Sequence, residues 1–193
     1  MRIVSGSFRG KALATPRGDA TRPTSDRARQ AVFNILEHAA WSNGVANQRV
    51  IDLFAGSGAL GFEALSRGAA FCLFIETDEA ARGAIRENVE ALNLFGQTRV
   101  HRRDATDLGV RPASDGAPFG LAFLDPPYAK GPFSDKSLGE TALEKLAAGD
   151  WLTPGAIVVF ERGASEPRVD APSYTALDAR DYGAAREIGR AHV

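Results

Sequence analysis

One cysteine, one methionine and three histidines are all that the 193 residues hold of soft and imidazole ligands. With Cys72 alone, no internal disulfide can form. Its place inside Phe71-Cys72-Leu73-Phe74-Ile75 makes it a small buried hydrophobe rather than a nucleophile. His38, His101 and His192 are scattered without metal-ligand spacing, so no metal is expected. Long apolar runs are missing too: Ala69–Ile75 and Ala156–Phe160 are strand-sized, far short of a bilayer span. The opening Met1-Arg2-Ile3-Val4-Ser5-Gly6 has no apolar signal core, which argues against export and for a cytoplasmic protein. There is no internal repeat and no low-complexity tract. What is present, 44% apolar and 24% charged residues, is an ordinary globular balance, and the length suits one domain's worth of core.

The net charge of −1 conceals an asymmetry. Arg2, Arg9, Lys11, Arg17, Arg22, Arg27 and Arg29 face only Asp19 and Asp26 within residues 1–36, a net of +5 that leaves −6 for the remainder. A basic arm on a mildly acidic body is either a docking surface for an anion such as nucleic acid or simply a solvated, charged segment.

Loose alternation with Gly6 and Gly10 predicts a short hairpin over Arg2–Leu13, followed by a Pro/Gly/Asp/Thr-rich link over Thr15–Pro23. Thr24 or Ser25 can cap a helix whose apolar face carries Ala28, Val32, Ile35 and Leu36. Strand and helix then alternate. Strands are expected at Val50–Phe54, Phe71–Ile75, Arg99–His101, Phe119–Leu124 and Ala156–Glu161. Helices are expected at Ala59–Arg67, at Asp78–Leu94 (capped by Thr77, stopped by Gly96) and at Lys136–Ala148. Ser173–Leu177 and Ala185–Ile188 can form an antiparallel closing pair. This order implies an α/β, Rossmann-like, mostly parallel doubly wound sheet with helices on both faces. Residues 1–40 form a hairpin-and-helix extension packed on a main domain of residues 41–193.

Ile51-Asp52-Leu53-Phe54-Ala55-Gly56-Ser57-Gly58-Ala59-Leu60-Gly61 follows a strand and opens a helix, and Glu76 ends the next strand. Gly56, Gly58 and Gly61 satisfy the dinucleotide fingerprint, with Glu76 placed for ribose hydroxyls. Three features favour S-adenosylmethionine over NAD. Asp52 stands where dinucleotide binders usually keep an apolar residue, and it can face the ammonium of a methionine moiety. The same carboxylate would repel a pyrophosphate at the helix end. Asp104-Ala105 follows the third strand, where the acid can accept from an adenine amino group and the next N–H can meet the ring; Asp104 could equally cap Ala105–Leu108.

Asp125-Pro126-Pro127-Tyr128 follows the strand Phe119–Leu124, at the edge where open α/β sheets hold ligands. An amino nitrogen on an aromatic ring is a poor nucleophile because its lone pair is delocalised. The Asp125 carboxylate and the Pro126 carbonyl can accept both of its N–H bonds and stabilise the developing positive charge. The prolines stiffen the loop, and Tyr128 supplies a face for stacking a base. Alone, the four residues are no more than a rigid turn; beyond the fourth strand of a nucleotide-binding sheet they suit amino-group methylation.

Asp52–Gly61, Glu76, Asp104 and Asp125–Tyr128 resemble the class I amino-methyltransferase motifs. Met1–Gly6 with Arg9-Gly10, then Arg22-Pro23-Thr24 with Asp26, Arg29 and Phe33, is similar to the bacterial 16S rRNA (guanine-N2)-methyltransferase family. The resemblance spans residues 1 to about 161. It implies a seven-stranded sheet, S-adenosylmethionine as cofactor and a guanine amino group of small-subunit rRNA as target. The small chain and its short basic arm, rather than the resemblance, point to a substrate met within an assembly particle, with a monomer as the default expectation. The resemblance places Asp52, Ala55, Gly56, Gly58, Glu76, Asp104 and Ala105 at the cofactor. Asp125, Pro126 and Tyr128 fall at the target base, and Arg2, Arg9, Arg22, Thr24 and Arg29 at RNA. Ala184–Val193 departs from the pattern, with only Ile188 and Val193 as bulky apolar residues, so a short or poorly packed last strand is expected. A DNA adenine-N6 methyltransferase would need a target-reading module that is not visible. A protein glutamine methyltransferase typically carries Asn at the position of Asp125. An NAD-dependent dehydrogenase would need a substrate domain, and a non-catalytic RNA-binding protein would not need the intact acceptor pair.

Overall fold

A computed structural model of the chain describes residues 1–16, 26–127, 137–163, 171–182 and 185–192. Seven strands form one sheet: β1 (Arg49–Leu53), β2 (Phe71–Ile75), β3 (Thr98–His101), β4 (Phe119–Leu124), β5 (Leu152–Gly163), β6 (Tyr174–Tyr182) and β7 (Ala185–His192). Their order is β3-β2-β1-β4-β5-β7-β6. The first five strands run parallel, and β7 lies antiparallel between β5 and β6. This is the Rossmann-like doubly wound sheet that the strand–helix alternation predicts. Successive strands step outward from β1 in one direction and then from β4 in the other, so the β1/β4 junction is the switch point where such sheets bind ligands.

The helices are α1 (Asp26–His38), α2 (Ala59–Ser66), α3 (Glu79–Ala91) and α4 (Leu138–Ala148). Strand alternation sends side chains to opposite faces. Val50, Cys72, Phe74, Leu121 and Phe123 pack with Phe33 of α1, Phe62 of α2 and Ile85 of α3. Ile51, Leu53, Leu73, Ala122 and Leu124 pack on the other face with Leu143 and Leu146 of α4 and with Trp151. Cys72 is fully buried and its thiol is pushed up by burial and then by Asp52, as suits a packing residue. Among the described residues no helix is long and apolar enough to cross a membrane.

Several boundaries differ from expectation for local reasons. Asp78, not Thr77, caps α3, its carboxylate accepting from the Ala81 N–H at 2.7 Å. The helix stops before Gly96, because Asn93 takes the left-handed conformation (φ 54°) and the Leu94 N–H bonds back to the Val89 carbonyl. A capping box between Ser137 and Glu140 starts α4 just after the expected Lys136. The last strand is not short: β7 pairs with β5 from Ala185 opposite Gly163 to Ala191 opposite Ile157, held by backbone ladders on both sides. The proposed caps Thr24 and Ser25 lie outside the described residues.

The N-terminal segment is a hairpin closed by one bridge, Arg2 to Ala12, and by bonds such as Gly10 N–H to the Ile3 carbonyl at 2.9 Å. It is tied to α2. Glu63 accepts from the Val4 and Ser5 N–H groups at 2.7 and 3.0 Å, and Ser66 accepts from the Phe8 N–H through its hydroxyl at 3.0 Å. Gly6 sits so close to α2 that a Cβ there would fall 1.9 Å from the Ser66 carbonyl oxygen.

Candidate active site

The last paired positions of three neighbouring strands are Leu53 with Leu124 and Leu53 with Ile75. One residue further on each strand stand Phe54, Asp125 and Glu76. The glycine loop, the acid after β2 and the Asp-Pro-Pro segment therefore leave the same sheet edge side by side, at the switch point.

Phe54 starts the loop in the left-handed region (φ 57°), followed by Gly56 (φ 55°) and Gly58 (φ 77°), which delivers the chain into α2. A Cβ on Gly61 would lie 2.3 Å from a Phe74 ring carbon and 2.6 Å from the Cys72 sulfur, so α2 packs on β2 only because that side chain is absent. Two carboxylates hold the loop. Glu76 accepts from the Gly56 N–H at 2.8 Å and the Asp78 N–H at 2.9 Å. Asp52 is buried and accepts from the Gly61 N–H at 3.0 Å. Burial raises the Asp52 carboxyl well above the usual carboxylate range, against the Gly61 bond, with the Asp125 and Glu76 charges adding to the rise.

Three acids thus converge on one small region with the deepest of them reluctant to ionise, an environment that fits a cationic ligand. A methionine ammonium and a sulfonium supply such charge, so Asp52, Glu76 and the loop around Ala55, Gly56 and Gly58 suit S-adenosylmethionine better than an anionic dinucleotide. Among the described residues no group of three or more His, Cys, Asp or Glu is arranged to hold a metal ion.

Asp104 takes the capping alternative: Oδ1 accepts from the Thr106 N–H at 2.8 Å and hydroxyl at 2.7 Å, starting the turn Ala105–Asp107. It stays exposed at the same sheet edge, beside buried Ala105. Asp125 is half-buried, Pro126 buried and Pro127 exposed. Gly139 lets α4 lie close to β5 beside this segment, since a Cβ there would fall 2.2 Å from the Phe160 ring and 3.2 Å from the Pro126 ring. Tyr128, Arg22 and Thr24 lie outside the described residues.

Of the basic arm, Arg2 and Arg9 are exposed, as are Lys11 and Arg27. Arg29 is not available to phosphate. It is fully buried, donating to the Arg2 carbonyl at 2.6 Å and to Asp26 at 2.8 Å, with Glu63 3.6 Å from its Nε. Its position corrects the assignment to RNA: Arg29 falls on the apolar stripe with Val32, Phe33 and Leu36, so it points into the body. The same stripe rule marks two residues that composition and motif reading pass over, Glu63 in α2 and Asn88 in α3, both buried polar side chains on apolar helix faces.

A model of the family described as conserved hypothetical protein 95 matches residues 1–187. The chain is 31% identical over 184 residues to the ribosomal RNA small subunit methyltransferase D of Haemophilus influenzae, spanning 95% of this chain and 89% of that one. To the protein of the same name from Escherichia coli it is 35% identical over 161 residues, 83% of this chain and 74% of the other. The solved structure of yhhF from Escherichia coli superimposes with a TM-score of 0.82 at 30% identity, covering 100% of this chain and 97% of that one.

Proposed function

This chain belongs to the conserved hypothetical protein 95 family, and on that footing we propose that it methylates the exocyclic N2 amino group of a guanine in the 16S rRNA of the small ribosomal subunit. The relatives named as ribosomal RNA small subunit methyltransferases support the substrate class. What carries the amino-group chemistry is the register that brings the glycine loop, Glu76 and Asp125-Pro126 out of adjacent strands at the switch point.

S-adenosylmethionine, when bound, supplies an electrophilic methyl group. Asp52 would hold its ammonium, Glu76 its ribose, and Asp104 with the Ala105 N–H its adenine. Ala55, Gly56 and Gly58 let the backbone approach closely. The Asp125 carboxylate and the Pro126 carbonyl each accept one N–H of the guanine amino group, drawing the nitrogen towards a tetrahedral shape and its lone pair out of the ring. No general base is needed before transfer; the rate comes from alignment and from acceptors already in place. Asp125 is the nearest acceptor for the proton that leaves afterwards. Tyr128 stacks the base, which must be splayed out of structured RNA to enter. Arg2, Arg9 and Arg22, with Thr24, meet phosphates and set orientation without reading sequence. A short arm on a monomer of this size has little surface for sequence readout, so RNA shape in a partly assembled particle in the cytoplasm selects the guanine.

The test is transfer of labelled methyl from S-adenosylmethionine to undermethylated small subunits, with the nucleoside identified by mass spectrometry. N2-methylguanosine confined to 16S rRNA and lost in Asp125→Ala is expected. Transfer to DNA or protein instead would overturn the substrate.

A further inference from the structure

We infer that Asn88 is a positioning residue through which RNA docking and cofactor binding strengthen each other; the inference rests on the function proposed above. Asn88 lies in α3, only 2% exposed, and its amide makes three hydrogen bonds, with both N–H groups engaged. Its oxygen accepts from the Ala14 N–H at 2.7 Å, and its nitrogen donates to the Ala14 carbonyl at 3.0 Å. The same nitrogen donates to the Ser57 carbonyl at 3.3 Å. One side chain thus pairs with an arm residue as a neighbouring strand would and also grips the middle of the glycine loop.

Ala14 immediately follows the hairpin that carries the exposed Arg9 and Lys11. Ser57 stands between Gly56 and Gly58, and its hydroxyl donates to the sulfur of Met1 at 3.5 Å, a second contact from arm to loop. A side-chain amide suits this bridge in a way its relatives do not. Aspartate has no donor for the two carbonyls, leucine has neither donor nor acceptor, and glutamine is a methylene longer. A buried amide that must satisfy both partners favours the state in which arm and loop are both ordered, because losing one partner leaves a buried polar group unpaired. Cofactor held in the loop therefore orders Ala14, and RNA held by the arm orders Ser57. Linkage requires the two effects to be equal in size.

The experiment measures S-adenosylhomocysteine affinity by calorimetry with and without saturating undermethylated small subunits, for the unaltered chain and for Asn88→Ala. Expected is a tightening of about tenfold by subunits in the unaltered chain, within the usual range of such coupling, shrinking to less than about twofold in Asn88→Ala whatever its affinity alone. A merely structural role would change the affinities and leave their ratio intact, and that result overturns the inference, as does an unaltered chain with no tightening. If the unaltered chain fails to bind S-adenosylhomocysteine at all, the proposed function fails and takes the inference with it. Should Asn88→Ala not fold, amide exchange of the unaltered chain decides. Slower exchange at Ala14 on adding S-adenosylhomocysteine supports the coupling, and slowing confined to the glycine loop overturns it.

Discussion

Replacing Asp52 by Asn tests the cofactor site at its deepest charge. The carboxylate is 2% exposed, holds the Gly61 N–H at 3.0 Å, and carries a raised pKa caused first by burial and then by Asp125 and Glu76. Asparagine keeps an oxygen for Gly61 and removes the charge. A hydrogen bond to a charged partner contributes about 1.5–3 kcal/mol, so losing the one proposed between Asp52 and the methionine ammonium should weaken S-adenosylhomocysteine binding about 10- to 150-fold at 1.4 kcal/mol per decade. The pH dependence has a definite sign. The folded carboxyl keeps its proton above the ordinary value of 3.8, so its contribution to folding stability is fully present below that value and is lost as pH rises through the raised pKa. Ligand binding favours the ionised form, so affinity in the unaltered chain should climb with pH over the same window and binding should release a proton. Asp52→Asn should bind weakly with no such climb, and should be no less stable at neutral pH. Calorimetry in buffers of differing ionisation enthalpy reads affinity and proton release together. Equal affinity in the two proteins, or binding that is flat with pH in the unaltered chain, would refute the assignment.

Gly61→Ala should lower stability by about 1–3 kcal/mol by overpacking against Phe74 and Cys72; a gain in thermal midpoint, as helix propensity alone would give, would contradict the packing. Glu63→Gln should cost about 3–5 kcal/mol in urea unfolding, since fully buried Glu63 pairs with Arg29 at 3.6 Å and Arg67 at 2.8 Å. A loss below about 1 kcal/mol would show that the network matters little. Arg9→Ala and Lys11→Ala should each reduce the salt slope of subunit binding by about one, whereas Arg29→Ala should leave the slope unchanged and destabilise the fold. A slope change in Arg29→Ala alone would reverse that placement.

Much of this architecture is legible in the sequence alone. Apolar runs such as Phe71–Ile75 and Phe119–Leu124, followed directly by Glu76 and Asp125, together with the glycine loop after β1, suffice for a parallel sheet with its candidate ligand edge named, because period and turn chemistry are local properties. The ends of α3 are less legible, since Asp78 and Asn93 both compete with neighbours of similar propensity. The long β7 is invisible to apolar counting, because its backbone is held by ladders with β5 and β6 whatever its composition.

The sequence by itself determined the fold class and the place of the Asp-Pro-Pro segment directly after a central strand, which reside in residue type and spacing. Only the tertiary structure decided where the basic arm goes. Seven basic residues look alike in composition, but packing on α2 turns Arg29 inward to Glu63 and leaves Arg9 and Lys11 in solvent. It alone also joined Ala14 to Ser57 through Asn88, a contact across residues 74 and 31 positions apart. Spacing along a chain reports neighbours within an element, whereas partners of a buried polar group are chosen by whichever distant backbone the fold brings within reach.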